Sequence, residues 1–265
     1  MEVLPFTHTD LDALQELQPA GWDNITPAFN FYLGSNFCFP VKIVVNGKVI
    51  GTGVSIIHDD VAWLAHIIVH ADYRNKGIGK HITQYLIDRI PVKCKTIYLI
   101  ATDLGEPVYK KLGFVTETDY AFYKDGSFGT DITLSSNILP FKEEYLNQLL
   151  AIDKEASGEN REMHLKEYLQ GSFVLIENNK VKAYYLPEFG NGLIIGIDTV
   201  AGIELMKLRS KKYYYFILPA DNKAATDCLI KHNYVHFRTA KRMILGTNRP
   251  WQPMNMYNRI SGQIG

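Results

Sequence analysis

A chain of 265 residues is long for one domain and suits two, and 46% hydrophobic against 21% charged residues supplies enough apolar side chain for a core. Lys plus Arg equals Asp plus Glu at 28 each, so no overall field draws the chain to nucleic acid or to an anionic membrane, and any phosphate recognition has to be local. Three scattered cysteines, Cys38, Cys94 and Cys228, suit neither a disulfide framework nor a metal site, and a start without a basic and apolar leader reads as cytoplasmic.

In chain order, residues 2–6 alternate as a short strand, and Thr7 or Thr9 caps an amphipathic helix that carries Leu11, Leu14 and Leu17. Pro19 and Gly21 end it. β-Branched runs at 41–45 and 48–57 flank Asn46-Gly47, a pair suited to a two-residue hairpin turn. A third strand follows Asp59-Asp60 and runs through Trp63 to Val69. Ile78, Ile82, Leu86 and Ile90 then recur four apart and predict a helix that Pro91 terminates. A strand at 96–101, a helix at 107–112 closed by Gly113, and a strand opening at Phe114 complete a mixed α/β order.

The polar segment 124–129 is a break, after which the same grammar returns. It predicts a strand near 131–134, helices over 140–156 and around 164–169, and a hairpin with Asn178-Asn179 at its tip. A buried strand at 193–197, a helix at 200–208, a strand at 213–218 and a helix at 220–231 follow. Asn222, Ala225, Leu229 and Asn233-Tyr234 fall at the offsets of Thr102, Gly105, Tyr109 and Gly113-Phe114. An internal repeat is therefore expected, with domains at 1–126 and 127–265.

Between the third strand and its helix lies Arg74-Asn75-Lys76-Gly77-Ile78-Gly79. Glycines let backbone approach a ligand closely, the N–H groups opening a helix attract phosphate oxygens, and Arg74 and Lys80 add charge. The nucleotide P-loop pattern is absent, and so is the three-glycine dinucleotide fingerprint.

The segment 67–79 resembles the acetyl-CoA motif of the Gcn5-related N-acetyltransferase (GNAT) superfamily, and Tyr109-Lys110-Lys111-Leu112-Gly113-Phe114 resembles its second hallmark. The resemblance implies an α/β (α+β) chain, with two GNAT-like mixed-sheet domains in tandem and the acyl-CoA N-acyltransferase fold. It implies acetyl-CoA as acyl donor, no metal, and main-chain contacts from Ile67, Ile68 and Val69 to the pantetheine arm. Arg74, Asn75, Lys76, Gly77, Ile78, Gly79 and Lys80 would hold the pyrophosphate. Thr102 and Gly105 would meet the cofactor, and Tyr109 would meet it too and act as general acid. Trp63 and Ala65 stand where relatives carry a base. His66 is one residue off and faces away unless a bulge intervenes, which makes it the candidate base beside a water chain or a group from the second domain.

Acceptor recognition in such relatives falls in the region after the first helix, here with Trp22, Phe31 and Tyr32 as candidates and Phe29 nearby. In the second half, Asp198-Thr199-Val200-Ala201-Gly202 replaces the loop and Leu229 replaces the tyrosine, so that half looks like a degenerate copy. The tail resembles the C-terminal domain of a tandem subgroup, with Arg238, Lys241, Arg242 and Trp251 as surface candidates. The expected activity is acetyl transfer to a primary amine of a small molecule, without nucleic acid or membrane and with a homodimer left open. The alternatives are a protein or peptide acetyltransferase and a non-catalytic acyl-CoA-binding module.

Overall fold

The computed structural model describes residues 1–129 and 131–265, whose contacts divide into two units. One comprises Met1–Val115 with Met243–Asn248 and Gly262–Ile264, the other Thr116–Arg242 with Arg249–Ser261 and Gly265. The polar break at 124–129 thus follows a strand that lies almost wholly in the second unit. Among the described residues no helix is long and apolar enough to cross a membrane.

The first unit opens with β1 (Val3–Pro5). The single helix expected next is instead a 3-10 turn at His8–Ala13 followed by α1 (Leu14–Leu17), and Leu14 and Leu17 are buried. The Thr7 N–H donates to the Asp10 carboxylate at 2.8 Å, which closes a capping box. Helix α2 (Thr26–Gly34) falls where the pattern predicts no element. Its apolar residues Phe29, Phe31, Tyr32 and Leu33 surround the helix instead of forming one stripe, so no amphipathic period appears.

Strands β2 (Cys38–Val45) and β3 (Lys48–His58) pair through Asn46 and Gly47, both at positive φ, 52° and 77°. Then come β4 (Val61–Val69), α3 (Ile78–Ile87), β5 (Thr96–Ala101) and α4 (Glu106–Lys110). The sheet order is β1-β2-β3-β4-β5. Helix α3 buries Ile78, Ile82 and Leu86, and it lies close on β3 because Gly51 and Gly53 carry no Cβ. A Cβ there would stand 2.9 and 2.7 Å from carbons of Ile82. Strands β4 and β5 pair in parallel only from Val61↔Thr96 to Leu64↔Leu99, so β4 runs on to Val69 without β5 beside it.

The second unit holds most of β6 (Val115–Lys124). No strand forms at 131–134. There the Ser135 N–H donates to the Glu204 carboxylate at 3.0 Å and the Asn137 N–H to Ser135 Oγ at 3.2 Å, so side chains satisfy the backbone in place of a ladder. The strand is β7 (Ile138–Pro140), and the helix expected from Pro140 begins later as α5 (Leu146–Ser157). Next are α6 (Glu162–Leu165), β8 (Phe173–Glu177) and β9 (Lys180–Leu186), the last two joined by Asn178 and Asn179 at φ 50° and 60°. After β10 (Leu193–Gly196) come α7 (Thr199–Ser210), β11 (Tyr215–Pro219) and α8 (Lys223–Lys231). The long β12 (Val235–Gly246) and the short β13 (Met256–Asn258) finish the chain. Arg242 on β12 is no surface residue: it is buried, with Nε 2.6 Å from Glu117 and the guanidinium over Trp251.

The repeat is visible in shared local chemistry. The Thr102 hydroxyl accepts from the Gly105 N–H at 3.3 Å, and Asn222 Oδ1 accepts from the Ala225 N–H at 3.0 Å. Gly113 and Asn233 both take positive φ, and the next N–H, of Phe114 or Tyr234, donates to the carbonyl of Tyr109 or Leu229. The copies part at one place. By this correspondence β10 and β11 match β4 and β5, yet β13 lies between them: Ile194 pairs with Asn258, and the Arg259 N–H donates to Ile217 at 2.8 Å. Buried Asn258 accepts from the Ile217 N–H and donates to the carbonyls of Asn191 and Gly192.

Tyr257 of that strand lies on Gly202, where an added Cβ would fall 2.2 Å from its ring. Gly202→Ala is therefore expected to cost about 1–3 kcal/mol in denaturant unfolding. The cost should shrink in a Tyr257→Ala background, and an equal cost in both backgrounds would contradict this seating of the tail.

Candidate active site

Helix α3 begins without a side-chain cap. Gly77 holds the N-cap position at φ 78°, and Asn75 stands at φ 60° just before it, both in the left-handed region. The first N–H groups of an α-helix have no intrahelical acceptor, so those of Ile78, Gly79 and Lys80 are available at the positive end of the helix dipole. Arg74 folds back and donates from Nε to the Val69 carbonyl at 3.1 Å, tying the loop to the end of β4. Lys76 donates to the Asp72 carbonyl at 3.1 Å and lies 5.0 Å over the Tyr73 ring. A Cβ on Gly77 would meet nothing within 4 Å, so open space lies beside this helix end. Helix α7 is the opposite case, since the Asp198 carboxylate accepts from the Ala201 N–H at 2.8 Å.

The far end of β4 carries a bulge. Pairing runs Thr52↔Ile68 and then Val54↔Ala65, which sets Gly53 against both His66 and Ile67, and His66 takes φ 46°. Ile67 thereby faces Ile82 across Gly53, while His66 turns to Trp22, Phe29 and Tyr32, with ring centroids at 6.1, 5.5 and 5.6 Å. The Tyr32 hydroxyl and His66 Nδ1 share a hydrogen bond of 2.7 Å. His66 is 9% exposed, and burial pulls its imidazole down to about 4, so the ring is neutral at neutral pH. Burial holds the Tyr32 phenol well above its ordinary value. The tautomer with Nδ1–H donating to Tyr32 leaves Nε2 as a proton acceptor.

Tyr109 is buried on α4 with its ring against Gly105, where a Cβ would fall 2.7 Å from Cε2, and 6.1 Å from the Phe114 ring. Burial raises its phenol, which stays protonated. Thr102 accepts from the Gly105 N–H through its carbonyl and hydroxyl oxygens, and its carbonyl also accepts from the Glu106 N–H that opens α4. Ile67, Ile68 and Val69 lie on the stretch of β4 beyond its pairing with β5. Trp22 and Tyr32 meet at His66, whereas Phe31 is 43% exposed and packs on Tyr32 and Phe37. Among the described residues no hydrogen bond or ring contact joins Tyr109 to His66. Trp63, at one expected base position, is buried against Tyr98. The packing of Phe29 on His66 was open to sequence reasoning only through its three-residue spacing from Tyr32, one turn of α2.

Residues 7–114 match the model of the acetyltransferase (GNAT) family. Among curated proteins no sequence match is found. The chain is similar in fold to a candidate acetyltransferase from Pyrococcus horikoshii, with a TM-score of 0.82 and 19% identity over 100% of this chain and 95% of that one. It is also similar to a GCN5-related N-acetyltransferase from Sphaerobacter thermophilus, with a TM-score of 0.64 and 13% identity over 94% and 96%. A tandem GNAT protein from the clavulanic acid biosynthesis pathway gives a TM-score of 0.58 and 11% identity over 92% and 98%. At these identities the likeness is one of fold.

The buried imidazole links stability to pH. His66 takes a proton near 6.5 when unfolded and only near 4 when folded, so protonation favours the unfolded chain. Its contribution is complete above pH 6.5 and is lost as pH falls toward 4, on the order of 3 kcal/mol. His66→Gln should flatten that part of the stability profile in denaturant unfolding, and an unchanged slope would contradict the assignment.

Proposed function

Because residues 7–114 belong to the acetyltransferase (GNAT) family within a chain of tandem GNAT-like fold, we propose that the first unit binds acetyl-CoA and transfers its acetyl group directly to a primary amine of a small molecule. The observation that carries this reading is the uncapped N-terminus of α3 with Gly77 in a left-handed conformation, reached through the 3-10 turn Ala71–Tyr73 from a strand end that β5 leaves unpaired. Main-chain groups of Ile67, Ile68 and Val69 suit an amide-bearing arm, and the N–H groups from Asn75 to Lys80 suit a pyrophosphate.

The transfer forms a C–N bond between the amine and the acetyl carbonyl and then breaks the C–S bond. The amine gives up one proton, to a water chain or to Nε2 of the neutral His66, which burial makes a weak base, and the departing thiolate takes one from the Tyr109 hydroxyl. The main chain at the bulge supplies an N–H donor for the developing oxyanion. The enclosure of His66 by Trp22, Phe29 and Tyr32 supports a small acceptor over a long peptide. The second unit adds no donor site of this kind, because Asp198 caps α7 and β13 fills the gap between β10 and β11.

Gly77→Glu places a carboxylate and an unfavourable backbone conformation at the phosphate end. It is expected to abolish acetyl-CoA binding while circular dichroism stays that of the parent, and unchanged affinity would remove the reading. Tyr109→Phe should lower kcat for amine acetylation by about a hundredfold or more with little change in the KM for acetyl-CoA.

A further inference from the structure

Four buried arginines belong to the second unit, and three of them are compensated. Arg161 pairs with Asp153 at 2.5 Å, Arg209 donates to the carbonyls of Asn191 and Tyr215, and Arg242 pairs with Glu117 at 2.6 Å. Arg259 is the exception. It is 5% exposed, and its Nε and Nη1 atoms are buried without a hydrogen-bond partner among the described residues. Its guanidinium lies 5.0 Å from the Tyr120 ring and 5.1 Å from the Phe122 ring. Ring faces offset part of the cost of burying a cation but do not replace an anion.

A second cation shares the same ring. Arg238, exposed on β12, lies 5.2 Å from the Phe122 centroid. Burial, and then the charge of Arg238, hold Arg259 down to about 10. The acidic groups on neighbouring parts of β6 and its turn are engaged elsewhere: Asp119 with Lys241 at 3.1 Å, and Asp125 with Lys124 at 3.0 Å. Two like charges thus converge beside the half-exposed ring of Phe237, and among the described residues no acidic side chain pairs with either.

We infer that Arg259 and Arg238 form a binding site for an oxyanion, a carboxylate or phosphoryl group carried by a small ligand whose body rests on the exposed ring of Phe237. The planar fork of a guanidinium matches either group, and an oxyanion would supply the charge that both arginines lack. This site uses none of the residues proposed to hold acetyl-CoA and stands independently of that reading.

The test is calorimetry and thermal unfolding of the full chain with malonate and with inorganic phosphate, against sodium chloride at equal ionic strength. One oxyanion should bind saturably and raise Tm, and the preferred one tells carboxylate from phosphoryl. Arg238→Ala, a change at an exposed position, should weaken that binding by about tenfold or more. Arg259→Met should abolish it, and if that variant fails to fold the Arg238 variant decides alone. Binding no stronger than chloride overturns the inference. So does wild-type affinity in Arg238→Ala, which would place the anion at the intact α3 N-terminus.

Discussion

A helix has to find acceptors for its first N–H groups, and the two units meet that demand in opposite ways. Helix α7 satisfies it internally, with the Asp198 carboxylate on the Ala201 N–H. Helix α3 has Gly77 at the same place, with no side chain to offer and a φ of 78° that favours glycine. An end left in that state can be stabilised by an anion from outside, so one exchange of residue type separates a helix terminus left open from one closed on itself.

The sheet repeats the contrast. In the first unit β4 outruns its pairing with β5 after Leu64, and a bulge at His66 further frees the strand's main chain from regular pairing. In the second unit the matching gap carries β13, fixed by the hydrogen bonds of Asn258 to Ile217, Asn191 and Gly192 and by Tyr257 packed on Gly202. Cap and gap thus differ together between the two units, as the proposed loss of a donor site from the second would require. The glycines of β3 belong to the same scheme: Gly51 and Gly53 let α3 approach, and that approach sets where its N-terminus lies relative to the end of β4.

Features fixed by local chemistry were legible in the sequence. Asn46-Gly47 and Asn178-Asn179 mark turns because both residues must take positive φ, and the offsets shared by Thr102 with Asn222 and by Gly113 with Asn233 reflect the same side-chain bond to the N–H three residues on and the same left-handed positions. Features set by distant partners were not. The bulge that turns His66 toward Tyr32 depends on the register of β3, and α2 hides its period because apolar residues surround it. The strand read at 131–134 loses to side chains that satisfy the backbone next to it, and nothing local to Met256–Asn258 reveals that it enters a sheet. The buried state of Arg242 and the missing counter-charge of Arg259 likewise appear only once the strands are assembled.

In the proposed function one unit keeps an acetyl-CoA site and the other has closed its counterpart. Titration of the full chain with acetyl-CoA by calorimetry reads both halves of it at once. A stoichiometry of one acetyl-CoA per chain is the predicted result. Two per chain would contradict the closed second gap, and none would show that the loop at Gly77 is only a turn.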